Sequence, residues 1–165
     1  MLGIDPGLKG GLAALTRDGV ITLTTPMPVT RGNGSKSEID VPALASTLRG
    51  LVTEHGVALV VVEHVGAMPK QGVVSTFTFG RGFGEVLGVV GTLGLPLELV
   101  RPQAWRKVVL AGAGPGKAAA LAYARRRFPR ADLRATPRSW TPSDGICDAL
   151  CLAEFGRRLI GGSKT

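Results

Sequence analysis

Five short apolar segments, each bounded by turn-forming residues, predict the strands of a sheet. Pro6 and Gly7 stop the first strand, and an Asp18–Gly19 turn joins the second to the third as a hairpin. The fourth is apolar until it ends at Glu63, which is typical of parallel strands covered on both faces. The predicted strands are Met1–Pro6, Gly10–Leu15, Val20–Thr25, Val57–Glu63 and Leu95–Val100.

Segments between and after these strands carry apolar residues at helical spacing. Between Val41 and His55 the apolar stripe consists of Leu44, Leu48 and Leu51. Further helices are predicted at 73–94, 101–107, 117–128 and 144–159, whereas Thr30–Ser37 is predicted as a polar loop. We therefore expect an α/β fold with a five-stranded mixed sheet, in which three antiparallel strands are followed by two parallel ones, with helices on both faces. No linker or repeat divides the 165 residues, so a single domain, 1–165, is expected.

Glycines recur every three or four residues in the second predicted helix, at Gly80, Gly84, Gly88 and Gly91. On a helix they would form a smooth groove that another backbone could approach closely. Glycine is a poor helix former, so such a helix needs a packing partner. That partner is either a second subunit or another element of the same chain, and the sequence leaves both alternatives open.

The composition favours a folded protein and excludes a membrane-spanning one. Hydrophobic residues make up 44% of the chain, yet the longest apolar runs, such as Val57–Val62, are too short to cross a bilayer. The N-terminus lacks the features of a signal peptide, so we expect a cytoplasmic protein. Cys147 and Cys151 lie four residues apart on one predicted helix, which favours two reduced, packed thiols over a disulfide.

Positive charge is concentrated in the last part of the chain. Residues 1–100 contain seven Lys or Arg and eight Asp or Glu, whereas residues 101–165 contain thirteen and four. A basic C-terminal part beside carboxylates suits a polyanionic substrate that is handled through metal ions. The alternative explanation is compositional, because the chain has fourteen Arg, six Lys and a single Asn, but this would not explain the asymmetry.

Asp144 and Asp148 open the last predicted helix and lie four residues apart, so both side chains leave the same face. Like charges at this spacing repel each other unless a cation lies between them. The alternative is that Asp144 merely favours the helix dipole and Asp148 is a solvated surface acid.

Two further acids, Asp5 and Glu63, stand where apolar strands end. If these strands are parallel neighbours, both carboxylates emerge at the same edge of the sheet, where open α/β sheets bind ligands. Together with Asp144 and Asp148 they would form a cluster of four carboxylates, which requires cations or strongly raised pKa values. Oxygen ligands without histidine select Mg²⁺ or Mn²⁺, and two such ions about 4 Å apart can cleave a phosphodiester.

The acidic motifs resemble those of RuvC-type Holliday junction resolvases. They read Ile4–Asp5–Pro6–Gly7, Val62–Glu63 and Asp144–Gly–Ile–Cys–Asp148–Ala–Leu, and the resemblance extends from Leu2 to about Gly156. Details such as Leu8–Gly11 and Pro102–Trp105 look closer to the phage-encoded branch. The resemblance implies an RNase H-like fold and a homodimer that binds a four-way DNA junction. It also implies that each subunit makes one nick, leaving 5′-phosphate and 3′-hydroxyl ends.

The resemblance also assigns roles to individual residues. Asp5, Glu63, Asp144 and Asp148 would be the catalytic acids that bind two Mg²⁺ or Mn²⁺ ions. Lys107 and Lys117 fall where the family keeps functional lysines near the scissile phosphate. The loop after Glu63 corresponds to the segment that probes the junction centre. The expected DNA contacts are Lys9, Met68, Lys70, Gln71, Arg81, Lys107 and Lys117.

The basic and aromatic residues also have purely structural explanations. Lys107 and Lys117 could be solvated helix charges, and Arg125–Arg127 is expected to be a partly solvated helix face. Trp105 and Trp140 are expected to be packing residues and not platforms for base stacking.

Two other functions remain open at this point. The Asp5–Gly11 hairpin also occurs in phosphate-binding ATPases and sugar kinases, although these normally need two such lobes. A catalytically silent, branched-DNA-binding dimer is the other alternative, but it would retain the repulsion between four acids for no purpose.

Overall fold

A computed structural model describes residues 1–31, 37–64, 66, 72–113 and 117–162. Within them the strands are β1 (Leu2–Asp5), β2 (Gly11–Leu15), β3 (Ile21–Pro26), β4 (Val29–Arg31), β5 (Ser37–Ile39), β6 (Val60–Glu63) and β7 (Leu97–Val100). The helices are α1 (Val41–His55), α2 (Val73–Thr92), α3 (Pro102–Val109), α4 (Lys117–Arg127) and α5 (Asp144–Gly161). No helix in these ranges has the length and apolar character that crossing a membrane requires.

The central sheet has the strand order β3-β2-β1-β6-β7. Strands β1, β2 and β3 pair antiparallel, whereas β6 pairs parallel with both β1 and β7. This confirms the expected mixed sheet of three antiparallel strands followed by two parallel ones. Ile4 lies opposite Val62, so the next residue on each strand, Asp5 and Glu63, reaches the same edge of the sheet.

Alternating side chains of the strands feed two separate cores. Leu2 and Ile4 of β1, like Val60 and Val62 of β6, pack with buried residues of α1 and α2. Val61 of β6 instead packs with buried residues of α3, α4 and α5. The period of two residues in a strand explains this division, and it confirms the prediction of helices on both faces.

Helix α5 lies directly on β1 and β2 because glycines clear its path. A Cβ atom at Gly3 would collide with the backbone of Ala149 and Ala153 in α5. A Cβ atom at Gly145 would collide with the backbone of Lys9 and Gly10 in the β1–β2 connection. These close approaches hold the first turn of α5 against the end of β1.

We predict that Gly145→Ala lowers the free energy of unfolding by about 1–3 kcal/mol, because the added methyl group meets backbone atoms that cannot rotate away. Gly161→Ala in the same helix is the matched control, since a Cβ atom there meets nothing within 4 Å. Urea unfolding of both variants measures the difference. Equal stability of the two would contradict the tight contact at Gly145.

The C-terminal half of α5 contains a buried charge cluster. Glu154 is 1% exposed and accepts hydrogen bonds from Arg157 at 2.7 and 2.8 Å and from Arg158 at 3.0 Å. Burial alone would raise the pKa of Glu154, but the bonds from the two guanidinium groups outweigh it and lower that pKa. Arg158 also donates to the Val108 carbonyl and the Tyr123 hydroxyl, which ties α5 to α3 and α4.

The prediction of a loop over Thr30–Ser37 is wrong at both ends of that segment. Strands β4 and β5 pair antiparallel, with Val29 opposite Ile39 and Arg31 opposite Ser37. Ile39 is buried against α2, where its side chain lies 3.1 Å from the position a Cβ atom would take at Gly82. This tertiary anchor orders a strand that local composition does not indicate. Residues 32–36 lie outside the described part of the chain.

The glycine row of α2 faces away from the rest of the described chain. Gly80, Gly84, Gly88 and Gly91 are exposed, and a Cβ atom at any of them would meet no described atom within 4 Å. Packing of this row against another described element of the same chain is therefore excluded. The alternative, a second subunit, stays a prediction.

Both cysteines are free and buried in α5, as expected. Burial, followed by the negative charges of Asp148 and Asp144, raises the pKa of Cys147 to about 11. Burial also raises the pKa of Cys151. The two thiols therefore act as packing groups.

Candidate active site

The sheet edge at the end of β1 and β6 gathers the four predicted acids from three parts of the chain. Asp5 ends β1 and Glu63 ends β6, while Asp144 and Asp148 lie in the first two turns of α5. The charges of Asp5, Glu63 and Asp144 all act on Asp148. The structure thus brings the four carboxylates into one electrostatic environment, as the sequence predicts.

Asp5 is largely buried at the centre of this edge. Its Oδ1 atom accepts a hydrogen bond of 3.2 Å from the Gly7 backbone N–H. Burial raises the pKa of Asp5 to about 6, partly opposed by the Gly7 bond and assisted by the charge of Glu63. This carboxylate therefore ionises only at a pH well above the usual range of an aspartate.

Glu63 is held in place by Trp105 of α3. The indole Nε1–H donates to Glu63 Oε1 at 2.8 Å, and Glu63 is 9% exposed. Trp105 itself is fully buried, which confirms its predicted packing role. The hydrogen bond gives Trp105 a second role. It fixes one carboxylate oxygen of Glu63 and pairs the buried indole N–H, which would otherwise destabilise the fold.

Asp148 faces Arg106, the neighbour of Trp105 on α3. The guanidinium Nη2 lies 3.5 Å from Oδ1 and 3.4 Å from Oδ2 of Asp148, which makes the ion pair long. Arg106 also stacks on the Trp105 ring at 4.6 Å. Burial raises the pKa of Asp148 to about 7, against the lowering effect of Arg106 and with the help of the other three acids. The long ion pair with Arg106 does not outweigh the effects that raise the pKa of Asp148.

Asp144 is the first residue of α5, and Ser143 caps the helix by accepting a hydrogen bond of 3.4 Å from Ile146 N–H. Asp144 also lines a groove together with Lys9. The glycine contacts beneath the first turn, described above, place it beside the β1–β2 connection.

The donor set fits a hard divalent cation in its chemistry but is not closed around an ion. All four acids offer only oxygen atoms, and burial, assisted by the charges of the other three acids, raises the pKa of Asp148. Within the described residues, however, no three His, Cys, Asp or Glu side chains are placed to hold a metal ion. The four carboxylates thus lie together at one edge of the sheet, as expected, but they do not form a coordination site.

The predicted lysines and other DNA-contacting residues are only partly placed. Lys107 is exposed on α3, where it is the neighbouring Arg106 that contacts an acid. Lys9 is exposed in the β1–β2 connection and lines the groove at Asp144. Lys117 begins α4, but its side chain is outside the described structure. Met68, Lys70 and Gln71 also lie outside the described residues.

Arg81 is engaged by other side chains of the same surface. It forms ion pairs with Glu38 at 2.6 Å and with Glu85 at 3.4 Å. To contact DNA it would have to exchange these carboxylates for phosphate.

The other basic and aromatic predictions have mixed outcomes. Arg125 and Arg126 are exposed and Arg127 is half-buried, which agrees with a partly solvated helix face. The packing role predicted for Trp140 is wrong, because its side chain is 100% exposed. A lone tryptophan in a polar segment gives no periodicity from which its burial could be deduced.

Trp105 and Arg106 are the site residues that sequence reasoning missed. Both lie on α3, immediately before Lys107, and both contact a predicted catalytic acid. The sequence predicts the helix that carries these two residues. Their pairing with acids 42 residues away depends on the tertiary fold.

We predict that Trp105→Phe lowers the free energy of unfolding by about 1–3 kcal/mol, because Glu63 loses its buried donor while most of the ring packing remains. Removing such a support for a catalytic group typically reduces activity by about 10- to 100-fold. Trp140→Phe is the matched stability control, because the same change at an exposed ring should leave unfolding unaltered. Equal loss of stability in both variants would argue against the role of the indole N–H.

The order of the five strands, with helices on both faces, defines an RNase H-like α/β fold. A solved structure of similar fold is described as T. thermophilus RuvC in complex with Holliday junction substrate. It aligns with a TM-score of 0.64 and 17% identity, over 98% of this chain and 95% of that chain. A second Thermus thermophilus RuvC structure aligns with a TM-score of 0.59 and 18% identity, over 98% and 96% of the two chains.

A yeast mitochondrial Holliday junction resolvase aligns less well, with a TM-score of 0.48 and 12% identity over 95% of this chain and 77% of that chain. No protein-family model matches the sequence, and no curated protein sequence matches it significantly. The RuvC structures therefore establish the fold of this chain.

Proposed function

We propose that this chain is a metal-dependent, structure-selective endonuclease that nicks branched DNA, in particular four-way junctions. The observation that carries the proposal is the gathering of Asp5, Glu63, Asp144 and Asp148 at one sheet edge. The chain also has the fold of a RuvC protein that is described in complex with a Holliday junction substrate. The acidic motifs of the sequence add support, and the net charge of +8 favours a polyanionic partner.

Asp5, Glu63, Asp144 and Asp148 would hold Mg²⁺ or Mn²⁺, two ions per active site. Bound ions would generate the attacking hydroxide and stabilise the leaving oxygen, which gives 5′-phosphate and 3′-hydroxyl ends. The chain's own residues prepare this site. Trp105 fixes one oxygen of Glu63, and Arg106 partly balances Asp148.

We also propose that the chain works as a homodimer, so that two nicks can be placed in opposing strands. Exposed small and apolar groups on the α2 side of the sheet support this. The glycine row of α2 is exposed, and Leu97 and Leu99 of edge strand β7 are 39% and 41% exposed. Both leucines lie opposite Val60 and Val62, whose side chains pack on the face that α2 covers. Small and apolar groups on one exposed face suit a second copy of the chain.

The proposal is tested with a synthetic mobile four-way junction and a linear duplex of the same sequence. We expect paired nicks in the junction with Mg²⁺ or Mn²⁺, ends that a ligase can seal, and no cutting of the duplex. Cutting that persists in chelator, or equal cutting of junction and duplex, would contradict the proposed chemistry or selectivity. Stabilisation by ATP without any cutting would favour the sugar-kinase-like alternative.

A further inference from the structure

A groove lies beside the acidic edge, and Asp144 is one of its lining residues. It has a volume of about 710 Å³ and lies between the β1–β2 and β3–β4 connections on one side and residues 135–143 on the other. Its walls combine apolar side chains, such as those of Leu8, Met27 and Val29, with one cation and a series of hydroxyl groups, which are contributed by Lys9, Thr25, Thr136, Ser139, Thr141 and Ser143. Trp140, between two of these residues, is completely exposed.

We propose that this groove binds a DNA strand next to the cleaved phosphate and that Trp140 stacks on an unpaired base of that strand. The inference rests on the nuclease function proposed above and extends it to Trp140 and to groove hydroxyl groups such as that of Thr141. Asp144 is both a member of the acidic edge and a lining residue of the groove, so a strand whose phosphate lies at the acids would be next to the groove.

The polar part of the groove wall suits a sugar–phosphate backbone. Hydroxyl groups and a lysine are common partners of phosphate oxygens, and they fix the register of a strand without reading its sequence. Among them, the hydroxyls of Thr136 and Ser139 bond to each other at 2.9 Å, so they are already positioned on one wall.

The segment that carries Trp140 is anchored at both ends, so the exposed ring stands on a fixed base. Ser143 N–H donates to the Leu133 carbonyl at 2.7 Å, and Arg134 forms a β-bridge with Pro142. Leu133 is buried in the core beneath. A fully exposed tryptophan on an anchored segment suits stacking on a nucleobase, which is sequence-tolerant because every base has a π-face.

The charge of this segment favours DNA over a protein partner. Residues 129–142 contain Arg130, Arg134 and Arg138 but only one acid, Asp132, which pairs with Arg134 at 2.8 Å. Apolar groove residues such as Leu8 and Val29 are 37% and 46% exposed, but three arginines beside a single, paired acid favour a polyanion. Only an unstacked base offers a free face to the ring, so the inference requires that a base near the branch point leave the helical stack.

Binding is measured in an Asp5→Asn background, which keeps the junction uncut, and all variants carry that change. We expect Trp140→Ala to weaken binding to the four-way junction about 10-fold, whereas Trp140→Phe retains most of the affinity. Thr141→Val removes one groove hydroxyl and should weaken binding about 3-fold. The thermal midpoint should not change for Trp140→Ala, because the ring is exposed.

Tryptophan fluorescence gives an independent readout. The chain has two tryptophans, and Trp140→Phe leaves only the buried Trp105 as a baseline. We expect the junction to quench emission in the Asp5→Asn protein but much less in the same protein with Trp140→Phe. Equal quenching in both, or unchanged junction affinity of both Trp140→Ala and Thr141→Val, would overturn the inference.

Two other results would also overturn it, for separable reasons. If Trp140→Ala changed the oligomeric state of the DNA-free protein, the ring would belong to an interface between copies of the chain. If the otherwise unaltered protein neither bound nor cut the junction, the proposed nuclease function would fail first. Cutting by that protein together with unchanged affinity of the variants would remove only the role of the groove and Trp140.

Discussion

Asp5→Asn is expected to abolish junction cleavage while leaving junction binding intact. The substitution keeps the size of the side chain and an oxygen that can accept the Gly7 N–H bond, but it removes the charge at the centre of the acidic edge. Loss of a residue that acts as part of a catalytic unit typically costs on the order of 10³-fold or more in rate. Nicking rates on a synthetic four-way junction, measured with Mg²⁺, give the result directly.

Asp18→Asn is the matched control for this experiment. Asp18 is an exposed acid in the β2–β3 turn, at the far end of β2 from Asp5. It should cut as fast as the unaltered protein. Cleavage by Asp5→Asn at the rate of this control would exclude the proposed chemistry.

The second large effect concerns the stability of the metal-free protein as a function of pH. Asp5 has a pKa of about 6 and Asp148 a pKa of about 7, both raised from an ordinary value of 3.8 mainly by burial. The folded protein therefore binds these protons more tightly than the unfolded chain. Stability should fall as the pH rises from about 4 to about 8 and then change no further, by about 3 kcal/mol for Asp5 and about 4 kcal/mol for Asp148.

Urea unfolding in chelator at pH 5 and pH 8 measures the part of this difference that falls above pH 5, about 4 kcal/mol for the two acids together. The double variant Asp5→Asn, Asp148→Asn is the control, because it removes both titrating groups and should flatten the profile. Saturating Mg²⁺ at pH 8 should recover much of the lost stability if the acids hold cations as proposed. A metal-free protein that is equally stable at pH 5 and pH 8 would contradict the raised pKa values.

Features that depend on local patterns could be predicted from the sequence. The acids at strand ends follow from short apolar runs that stop at Asp5 and Glu63. The parallel pairing of the two strands entered the sequence analysis only as a condition, which the structure meets. The two acids of α5 follow from their spacing of four residues. These features need only the periods of strands and helices, and the right-handed crossover rule restricts how they assemble.

Features that depend on contacts between distant segments could not be predicted from the sequence. The strand β5 exists because Ile39 packs on Gly82, more than forty positions later in the chain. The bond from Trp105 to Glu63 and the ion pair of Arg106 with Asp148 also join distant residues. The prediction for Trp140 is wrong in the opposite sense, because the apolar character of the ring predicts burial but the side chain is fully exposed.

The acids of α5 meet opposite fates within a single helix. At its C-terminal end Glu154 has two arginines within 3.0 Å, while Asp148, less than two turns earlier, has one arginine at 3.4 Å. The charge of Glu154 is therefore compensated by arginines of the same helix, whereas the charge of Asp148 is compensated less well. Amide hydrogen exchange should be slow around Glu154 whether or not cations are present. The first turns of the helix should exchange more slowly only when a divalent ion is bound to the acids.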